Sequence, residues 1–335
     1  MTEPATHPGG TPPARSSPLR AAGLAISLVS VAAVVWWALR QDPPELPDRP
    51  GELLALAAAL GAYAVATALR GERWRGLLRR CGVPASRADC HALNLVGYMG
   101  NNVLPARGGD VLRVSLLDAR GPGATRTVVG TLVAERLLDA ACLLAVFALF
   151  GYVLLEDAGA PGGARVAIVA GGAALALLAG ALAWRRADRH PLGRRVRAFL
   201  DPLTSATRSL RGRHGARMAA VTVALWCVEA ATWYLTGVAA GVEMSPAEAL
   251  YLVGLASVFV LIPSGPGYAG TLDAAVLFGV KAIGGGGAEA VSFLLLLRFV
   301  LLVPITLAGL VVLVARYGGR LRRPALGTRE LEGRA

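Results

Sequence analysis

Two stretches rich in proline and glycine, residues 101–110 (NNVLPARGGD) and 261–271 (LIPSGPGYAGT), interrupt long apolar sequence and decide the fold. Proline and glycine at this density end helices, yet apolar sequence resumes on the far side of each break. In a membrane, irregular backbone is tolerated only where it is buried in protein or lines a wet cavity. A pair of such breaks at corresponding positions is typical of a transporter's binding site.

The composition indicates a membrane protein with several spans. The chain has 335 residues, of which 55% are hydrophobic, and its mean hydropathy is +0.54. Because a span needs about 20 apolar residues, we predict six transmembrane helices, at residues 19–39, 51–69, 127–155, 165–184, 218–242 and 288–316. The breaks lie in two further apolar hairpins, 88–117 and 247–284. The predicted class is all-α and polytopic, with two re-entrant helical hairpins.

The distribution of charge predicts the orientation. The net charge of +12 would indicate nucleic acid in a soluble protein, but here basic segments alternate with acidic loops, as the positive-inside rule requires. We therefore predict no nucleic-acid partner. The segments 70–87 and 185–217, a disordered tail at 1–18 and a basic tail at 318–335 are predicted to be cytoplasmic. The domain at 19–317 then lies in a bacterial cytoplasmic (inner) membrane, with both termini inside.

This orientation makes the two hairpins enter the membrane from opposite sides. The hairpin at 88–117 begins and ends among cytoplasmic arginines, whereas the hairpin at 247–284 begins and ends outside. Each half, 19–155 and 165–317, then has the order span, span, hairpin, span. Because three spans per half is an odd number, the second half has the opposite orientation in the membrane. The predicted arrangement is an inverted repeat. The alternative, two short full spans at 247–284, would place the basic C-terminus outside.

Charged residues within the spans are candidates for function, because they are costly in lipid. Glu135, Arg136 and Asp139 share one helix face, and a structural ion-pair network is the alternative explanation for them. Glu229 lies in the middle of the fifth span. Arg298 in the sixth span has no acid at i±3 or i±4. We therefore predict that Arg298 faces a cavity and pairs with Asp273, Glu135 or Asp139.

The first break also predicts a site for an anion. Gly108 and Gly109 precede a short helix of about residues 110–117, whose N-terminal N–H groups carry partial positive charge. Arg107 and Arg113 add positive charge, and a guanidinium binds phosphate through two hydrogen bonds. The sequence therefore predicts a cytoplasm-facing pocket for an anionic head group. The alternative is that both arginines extend to the cytoplasmic surface.

Two other patterns carry no chemistry. Gly265, Gly267 and Gly270 match the spacing GxGxxG, but the dinucleotide fingerprint requires a strand and a βαβ context. Pro266 also interrupts the match. The four cysteines and four histidines are scattered without metal-ligand spacing. We therefore predict no metal and no cofactor.

Several of these stretches resemble the membrane-embedded, flippase-like region of the lysylphosphatidylglycerol synthase (multiple peptide resistance factor) family. The resemblance covers about residues 20–316. Asp110 and Asp273 stand where the family pattern usually has glutamate, which keeps the charge and shortens the reach. Four stretches carry the resemblance: Arg73-Trp74 with Leu77-Leu78, Asn102 to Arg113, Glu135-Arg136-x-x-Asp139, and Pro263 to Asp273.

The resemblance implies the lipid-translocating half of such proteins. Fused members carry a soluble aminoacyl-transferase domain after the membrane part, and only residues 317–335 follow the last predicted span here. The candidate substrate-binding residues are Arg107, Gly108, Gly109, Asp110, Arg113, Glu135, Arg136, Asp139, Pro263, Gly265, Pro266, Gly267, Gly270, Thr271, Asp273 and Arg298.

The predicted function is that of a flippase-like transporter, with no catalytic activity of its own. Its substrate would be an anionic or aminoacylated phospholipid, or a polyprenyl-phosphate or glycolipid carrier, moved through a polar cavity. One alternative is a non-catalytic accessory subunit of a cell-envelope enzyme. Another is a membrane-embedded transferase with Glu135 or Asp273 as base. The expected partners are membrane lipids with anionic head groups, and a second copy or an envelope-biosynthesis enzyme stays open.

Overall fold

The structure is a computed structural model that describes residues 46–104, 107–117, 124–157, 212–260 and 265–318, with a few isolated positions at 36–44. Throughout these ranges every regular element is helical and none is a strand. The predicted span at 165–184, nearly all of that at 19–39, and both terminal tails lie outside the described residues. The predicted all-helical class is confirmed.

Four helices make up the described part of the first half. Helix α1 is Pro50–Arg80, and its first turn has proline at the start and Glu52 near the positive helix end. Helix α2 is Arg87–Val103, begun by Ser86, whose hydroxyl accepts a hydrogen bond from the N–H of Asp89 at 3.0 Å. Helix α3 is Gly108–Leu116 and helix α4 is Ala124–Asp157.

Four helices and a short turn make up the described part of the second half. Helix α5 is Gly212–Ala239, α6 is Pro246–Phe259, and a 3₁₀ turn follows at Pro266–Tyr268. Helix α7 is Thr271–Ala282 and α8 is Gly287–Val312, continued by a π turn at Leu313–Tyr317. Both predicted breaks therefore interrupt helices.

Within the described ranges, three helices have the length and apolar composition to cross a membrane: α1, α5, and α8 with its π turn. Helix α6 is apolar but has 14 residues, about 21 Å at 1.5 Å per residue, which is less than the ~30 Å of a hydrocarbon core. The protein is thus a helical membrane protein that combines long apolar helices with shorter ones.

The helix that contains the second predicted span, 51–69, extends further along the chain than that span. Helix α1 continues to Arg80, and the side chains of Arg70 and Arg73 are buried, with 11% and 3% of their area exposed. The sequence placed these arginines in a cytoplasmic segment because charge ends an apolar window. Carboxylates on other helices compensate them instead, and an apolar window contains no information about such partners.

The order of long helix, short helix, short helix, long helix occurs twice in the described chain, first in α1–α4 and then in α5–α8. These are called the first and the second series of helices. Helix α1 packs most extensively on α5, which occupies the same place in the second series. Helix α2 contacts α8, and the corresponding helix α6 contacts α4. Helix α1 contacts α4 and α2, and the corresponding helix α5 contacts α8 and α6. Corresponding helices of the two series therefore have corresponding packing partners.

The apolar core has one centre in each series of helices. Trp74, Leu93 and Val96 are fully or almost fully buried in the first. Phe293, with Leu252 beside it, occupies the corresponding place in the second. A smaller cluster that includes Tyr63 and Val300 joins α1 to α8. Charged side chains lie between these apolar centres.

Candidate functional site

The first break is closed by contacts between α2 and α3. Asn101, near the end of α2, accepts a hydrogen bond through Oδ1 from the N–H of Gly109 at 3.0 Å. A Cβ at Gly109 would collide with the carbonyl oxygen of Gly97, so glycine allows the two backbones to touch. Arg107 has φ of 55°, a left-handed conformation that is uncommon for any residue except glycine. The start of α3 is thereby held inside the protein.

The second break is held by Asp273 and Arg298. Asp273, the third residue of α7, accepts a hydrogen bond from the N–H of Gly270 at 2.8 Å. Arg298 in α8 donates from Nε to Asp273 Oδ1 at 2.7 Å and from Nη1 to the carbonyl oxygen of Gly267 at 2.7 Å. Gly267 and Tyr268 both have positive φ, 62° and 55°. Arg298 therefore secures an irregular turn, and its predicted pairing is confirmed with Asp273.

A buried ion-pair network lies behind the first break. Arg73 on α1 donates from Nη1 and Nη2 to the two carboxylate oxygens of Asp139 on α4, at 2.6 and 3.2 Å. Glu135 lies 3.2 Å from Nη2 of Arg113 and 3.8 Å from Nε of Arg73. The guanidinium of Arg113 lies over the ring of Trp74, 4.1 Å from its centroid. This network joins α1, α3 and α4.

A cavity of about 460 Å³ is lined by residues from both series of helices. Its wall is largely apolar, with tyrosine and tryptophan side chains and a smaller number of charged ones. Such a wall suits a ligand that is part apolar and part charged. The charged side chains in the wall are Arg70, Arg107, Arg136, Asp139 and Glu229, and the aromatic ones are Tyr63, Tyr98, Trp226, Trp233 and Tyr268.

Arg70 and Glu229 form an ion pair across the two series. Nη2 of Arg70 on α1 donates to Oε2 of Glu229 on α5 at 2.6 Å, and both side chains are about nine-tenths buried. The guanidinium also lies near two tyrosine rings, 5.3 Å from the centroid of Tyr98 and 6.0 Å from that of Tyr63. Each member of the pair lies ten residues before the last residue of its helix.

Arg107 and Arg136 are the more available cations of the cavity wall. The guanidinium of Arg107 lies 5.8 Å from the centroid of the Tyr268 ring, and no described carboxylate lies within ion-pair distance of it. Arg136 lies 3.6 Å from Asp139 and 3.9 Å from Asp110, and 43% of its side chain is exposed. These long contacts leave its donors accessible to an anion in the cavity.

The predicted site residues that the structure describes separate into three groups. Arg107, Arg136 and Asp139 line the cavity. Arg113 and Glu135 are buried in the network behind it. Pro263 lies outside the described residues. The others form the two breaks beside the cavity, namely Gly108, Gly109 and Asp110 in the first and Gly265, Pro266, Gly267, Gly270, Thr271, Asp273 and Arg298 in the second.

Sequence reasoning missed Arg70 and the aromatic side chains of the cavity wall. Glu229 was noted as a charge within a span, but nothing pointed to Arg70 as its partner. Tyr63 and Tyr98 are polar-tipped aromatic residues in the middle of apolar sequence. That position is itself a signal, because the hydroxyl of a tyrosine within a span needs a polar environment.

With this geometry in view, comparison with known proteins identifies the family. A sequence model described as "Lysylphosphatidylglycerol synthase TM region" matches residues 20–309. The chain belongs to this family. The match includes both breaks, the ion-pair network and the helices that enclose the cavity.

One curated relative is similar at a greater distance. It is "Glycosyltransferase AglD" of Haloferax volcanii, and it is 27% identical to the present chain over 296 residues. The similarity covers 74% of this chain and 47% of the relative. The chain thus spans about half the length of the curated relative that it matches.

Proposed function

We propose that this protein moves the phosphate-bearing head group of a lipid across the cytoplasmic membrane. The observation that carries the proposal is the cavity of about 460 Å³ with Arg70, Arg107 and Arg136 in a largely apolar wall. Arginine suits a phosphate because its planar donors match the oxygens. The apolar wall suits the first carbons of the acyl or prenyl chain. A lipid is the ligand that presents both chemistries together.

The start of α3 supports the same location for the head group. Gly108 and Gly109 begin a nine-residue helix whose first N–H groups carry partial positive charge. Arg107 precedes that helix, and Asp110 and Arg136 follow in the same neighbourhood. An oxyanion in the cavity would therefore meet both arginines, with the positive end of α3 nearby.

The repeated order of helices supports an inverted repeat, with the two hairpins entering from opposite sides. Asp110 and Asp273 are each the third residue of the helix after a break. Each pairs with an arginine of the following long helix, Asp110 with Arg136 at 3.9 Å and Asp273 with Arg298 at 2.5 Å. In this arrangement, small rotations of one half against the other would open the cavity alternately to each side.

Transbilayer movement in liposomes tests the proposal. The purified protein is reconstituted with fluorescent phosphatidylglycerol or a fluorescent polyprenyl phosphate, and an impermeant quencher reports which leaflet holds the label. The wild-type protein should accelerate exchange between leaflets. The double variant Arg107→Gln/Arg136→Gln should slow it by about tenfold or more, because each charge-assisted contact is worth about 1.5–3 kcal/mol.

The matched control is Arg49→Gln, which removes an arginine whose side chain is 82% exposed at the start of α1. It should leave the rate of exchange unchanged. Exchange in wild-type liposomes at the rate of protein-free liposomes would contradict the proposed function.

A role in lipid-linked glycan synthesis is a second candidate, and the name of the relative AglD favours it. The chain would then supply the membrane-embedded part of a glycosyl-transfer system, as an accessory subunit or as the transferase itself. Incubation of the purified protein with a nucleotide-sugar and a polyprenyl phosphate tests this candidate. Formation of a glycosylated lipid by the protein alone would support the transferase, and formation only with a co-purified enzyme would support the accessory subunit.

A further inference from the structure

We propose that the cavity selects lipids whose head group is an anionic phosphate ester, and rejects head groups that carry an ammonium group. The inference rests on the proposed function and names the class of its substrate. Phosphatidylglycerol and polyprenyl phosphates belong to the accepted class. Aminoacylated phospholipids belong to the rejected class.

The first argument is that the carboxylates of the cavity wall are already paired. Both oxygens of Asp139 accept hydrogen bonds from Arg73, and Arg136 lies 3.6 Å away. Glu229 accepts from Arg70 at 2.6 Å. An ammonium group in the cavity would have to share one of these carboxylates with the arginine that already neutralises it. The two cations would then lie close together in a buried place, which is unfavourable.

The second argument is an excess of donors. In the wall as described, three buried nitrogens have no hydrogen-bond acceptor in the protein: Nη1 of Arg70, Nε1 of Trp226 and Nε1 of Trp233. A buried donor without an acceptor costs about 1–3 kcal/mol. Small rotations would bring these groups to a ligand rich in oxygen, such as a phosphate with hydroxyl groups. An ammonium group offers only further donors.

The third argument concerns the aromatic rings, which could otherwise bind a cation. The rings of Tyr63 and Tyr98 already have the guanidinium of Arg70 nearby, at 6.0 and 5.3 Å. The ring of Tyr268 has that of Arg107 at 5.8 Å. The tyrosines of the cavity wall are therefore engaged with the protein's own cations, and a ligand ammonium would add positive charge beside them.

The charge balance around the cavity agrees with these arguments. Arginines outnumber carboxylates by one in the wall and in the network behind it, as far as the described chain shows. Arg107 is the member without a carboxylate partner. One negative charge on the ligand would balance the site. The arginines are Arg70, Arg73, Arg107, Arg113 and Arg136, and the carboxylates are Asp110, Glu135, Asp139 and Glu229.

The test compares lipid affinities of the full-length protein in nanodiscs by native mass spectrometry. The probes are phosphatidylglycerol, its lysyl ester, phosphatidylethanolamine and a polyprenyl monophosphate. The two anionic lipids should bind about tenfold or more tightly than the two with ammonium groups, a difference of one charged contact. The order of phosphatidylglycerol and the polyprenyl phosphate identifies which source of phosphate the site prefers.

A charge-converting variant sharpens the test. Arg107→Glu places an uncompensated carboxylate in the wall, so affinity should shift from phosphatidylglycerol towards its lysyl ester. Arg49→Glu makes the same change of charge at an exposed position and should leave the order of affinities unchanged. If Arg107→Glu does not yield a monodisperse protein, Arg107→Gln should still narrow the difference between the two lipids.

The outcomes separate this inference from the proposed function. Equal or tighter binding of the lysyl ester by the wild-type protein would overturn the inference, while transport of that lipid would leave the proposed function intact. Failure of the wild-type protein to bind or move any lipid of the panel would overturn both.

Discussion

Arg107 and Arg113 have different surroundings, which predict whether each arginine contributes to stability or to ligand binding. Arg113 is 3% exposed, lies over Trp74 and pairs with Glu135. Arg107 lines the cavity, and no carboxylate of the described chain pairs with it. The first residue stabilises the packing of α3, whereas the second is available to a ligand.

Substitution should distinguish these two arginines. Arg113→Gln should lower the free energy of unfolding by about 3 kcal/mol or more, because it leaves Glu135 buried with a weaker counter-ion. Arg107→Gln should change stability little and weaken the retention of phosphatidylglycerol. Unfolding in mixed detergent micelles and native mass spectrometry measure the two effects. Loss of lipid without loss of stability in Arg113→Gln would show that Arg113 binds the head group directly.

Arg298 gives a second prediction. Arg298→Leu removes the partner of a largely buried carboxylate, so it should destabilise the protein by about 3 kcal/mol. Because Arg298 also holds the second break in place, translocation should be lost as well. Addition of Asp273→Asn should restore part of the stability, since asparagine can still accept from Gly270. Arg316→Leu is the control, because its pair with Asp89 is 44% and 36% exposed and is worth about 1 kcal/mol or less. Equal losses in Arg298→Leu and Arg316→Leu would contradict this account.

The sequence indicated Asp273, Glu135 and Asp139 as candidate partners of Arg298, and the structure pairs it with Asp273, but the partners of Arg70 and Arg73 were not predicted. Asp273 lies in the hairpin just before Arg298, so proximity along the chain was informative. Glu229 lies 159 positions from Arg70, and Asp139 lies 66 positions from Arg73. Such pairings follow only from the packing of helices. Periodicity and hydropathy describe one segment at a time and contain nothing about it.

At the scale of elements, the breaks were predictable and the helix ends were less so. Several prolines and glycines in close succession end a helix, so residues 101–110 and 261–271 were expected to interrupt one. The continuation of α1 to Arg80 was not predicted, because the arginines from Arg70 onwards were assigned to a segment after the second span. The close approach of α3 to α2 was also unpredicted, because it depends on which glycines face each other.

That close approach gives a prediction about Gly109. A Cβ there would meet the carbonyl oxygen of Gly97 and the N of Asn101, which belong to the backbone and cannot rotate away. Gly109→Ala should therefore separate α3 from α2 and destabilise the protein by about 1–3 kcal/mol. Gly61→Ala is the control, because nothing lies within 4 Å of a Cβ there. It should be neutral or stabilise by up to about 1 kcal/mol. Equal stability of the two variants would contradict the contact.

For the whole molecule, the orientation of the two series is open to direct measurement. In a variant with the four native cysteines replaced, we expect Ala88→Cys, exposed at the start of α2, to react with an impermeant thiol reagent from the cytoplasmic side. Gly286→Cys, where the nearest atoms to a Cβ are 3.8 Å away, should react from the outer side. Reaction of both from the same side would contradict the inverted repeat.

Exchange of Arg70 and Glu229 tests whether the two side chains pair directly across the two series. Arg70→Glu and Glu229→Arg alone each bring like charges together in a buried place, and each should destabilise the protein by about 3–5 kcal/mol. The double exchange, Arg70→Glu/Glu229→Arg, should recover a large part of that loss. Additive losses in the double variant, measured by detergent unfolding, would contradict a direct pairing.

The pairing of Arg70 with Glu229 also bears on how such a protein arises. In a dimer of two identical halves, a residue on the twofold axis meets its own copy. Two arginines or two glutamates would then face each other at this position, and both arrangements are repulsive. Once both halves are joined in a single gene, each position mutates independently and opposite charges become accessible. On the proposed inverted repeat, opposite charges at this position therefore require that the two halves be joined in one chain, and two copies of either half alone would bring like charges together here.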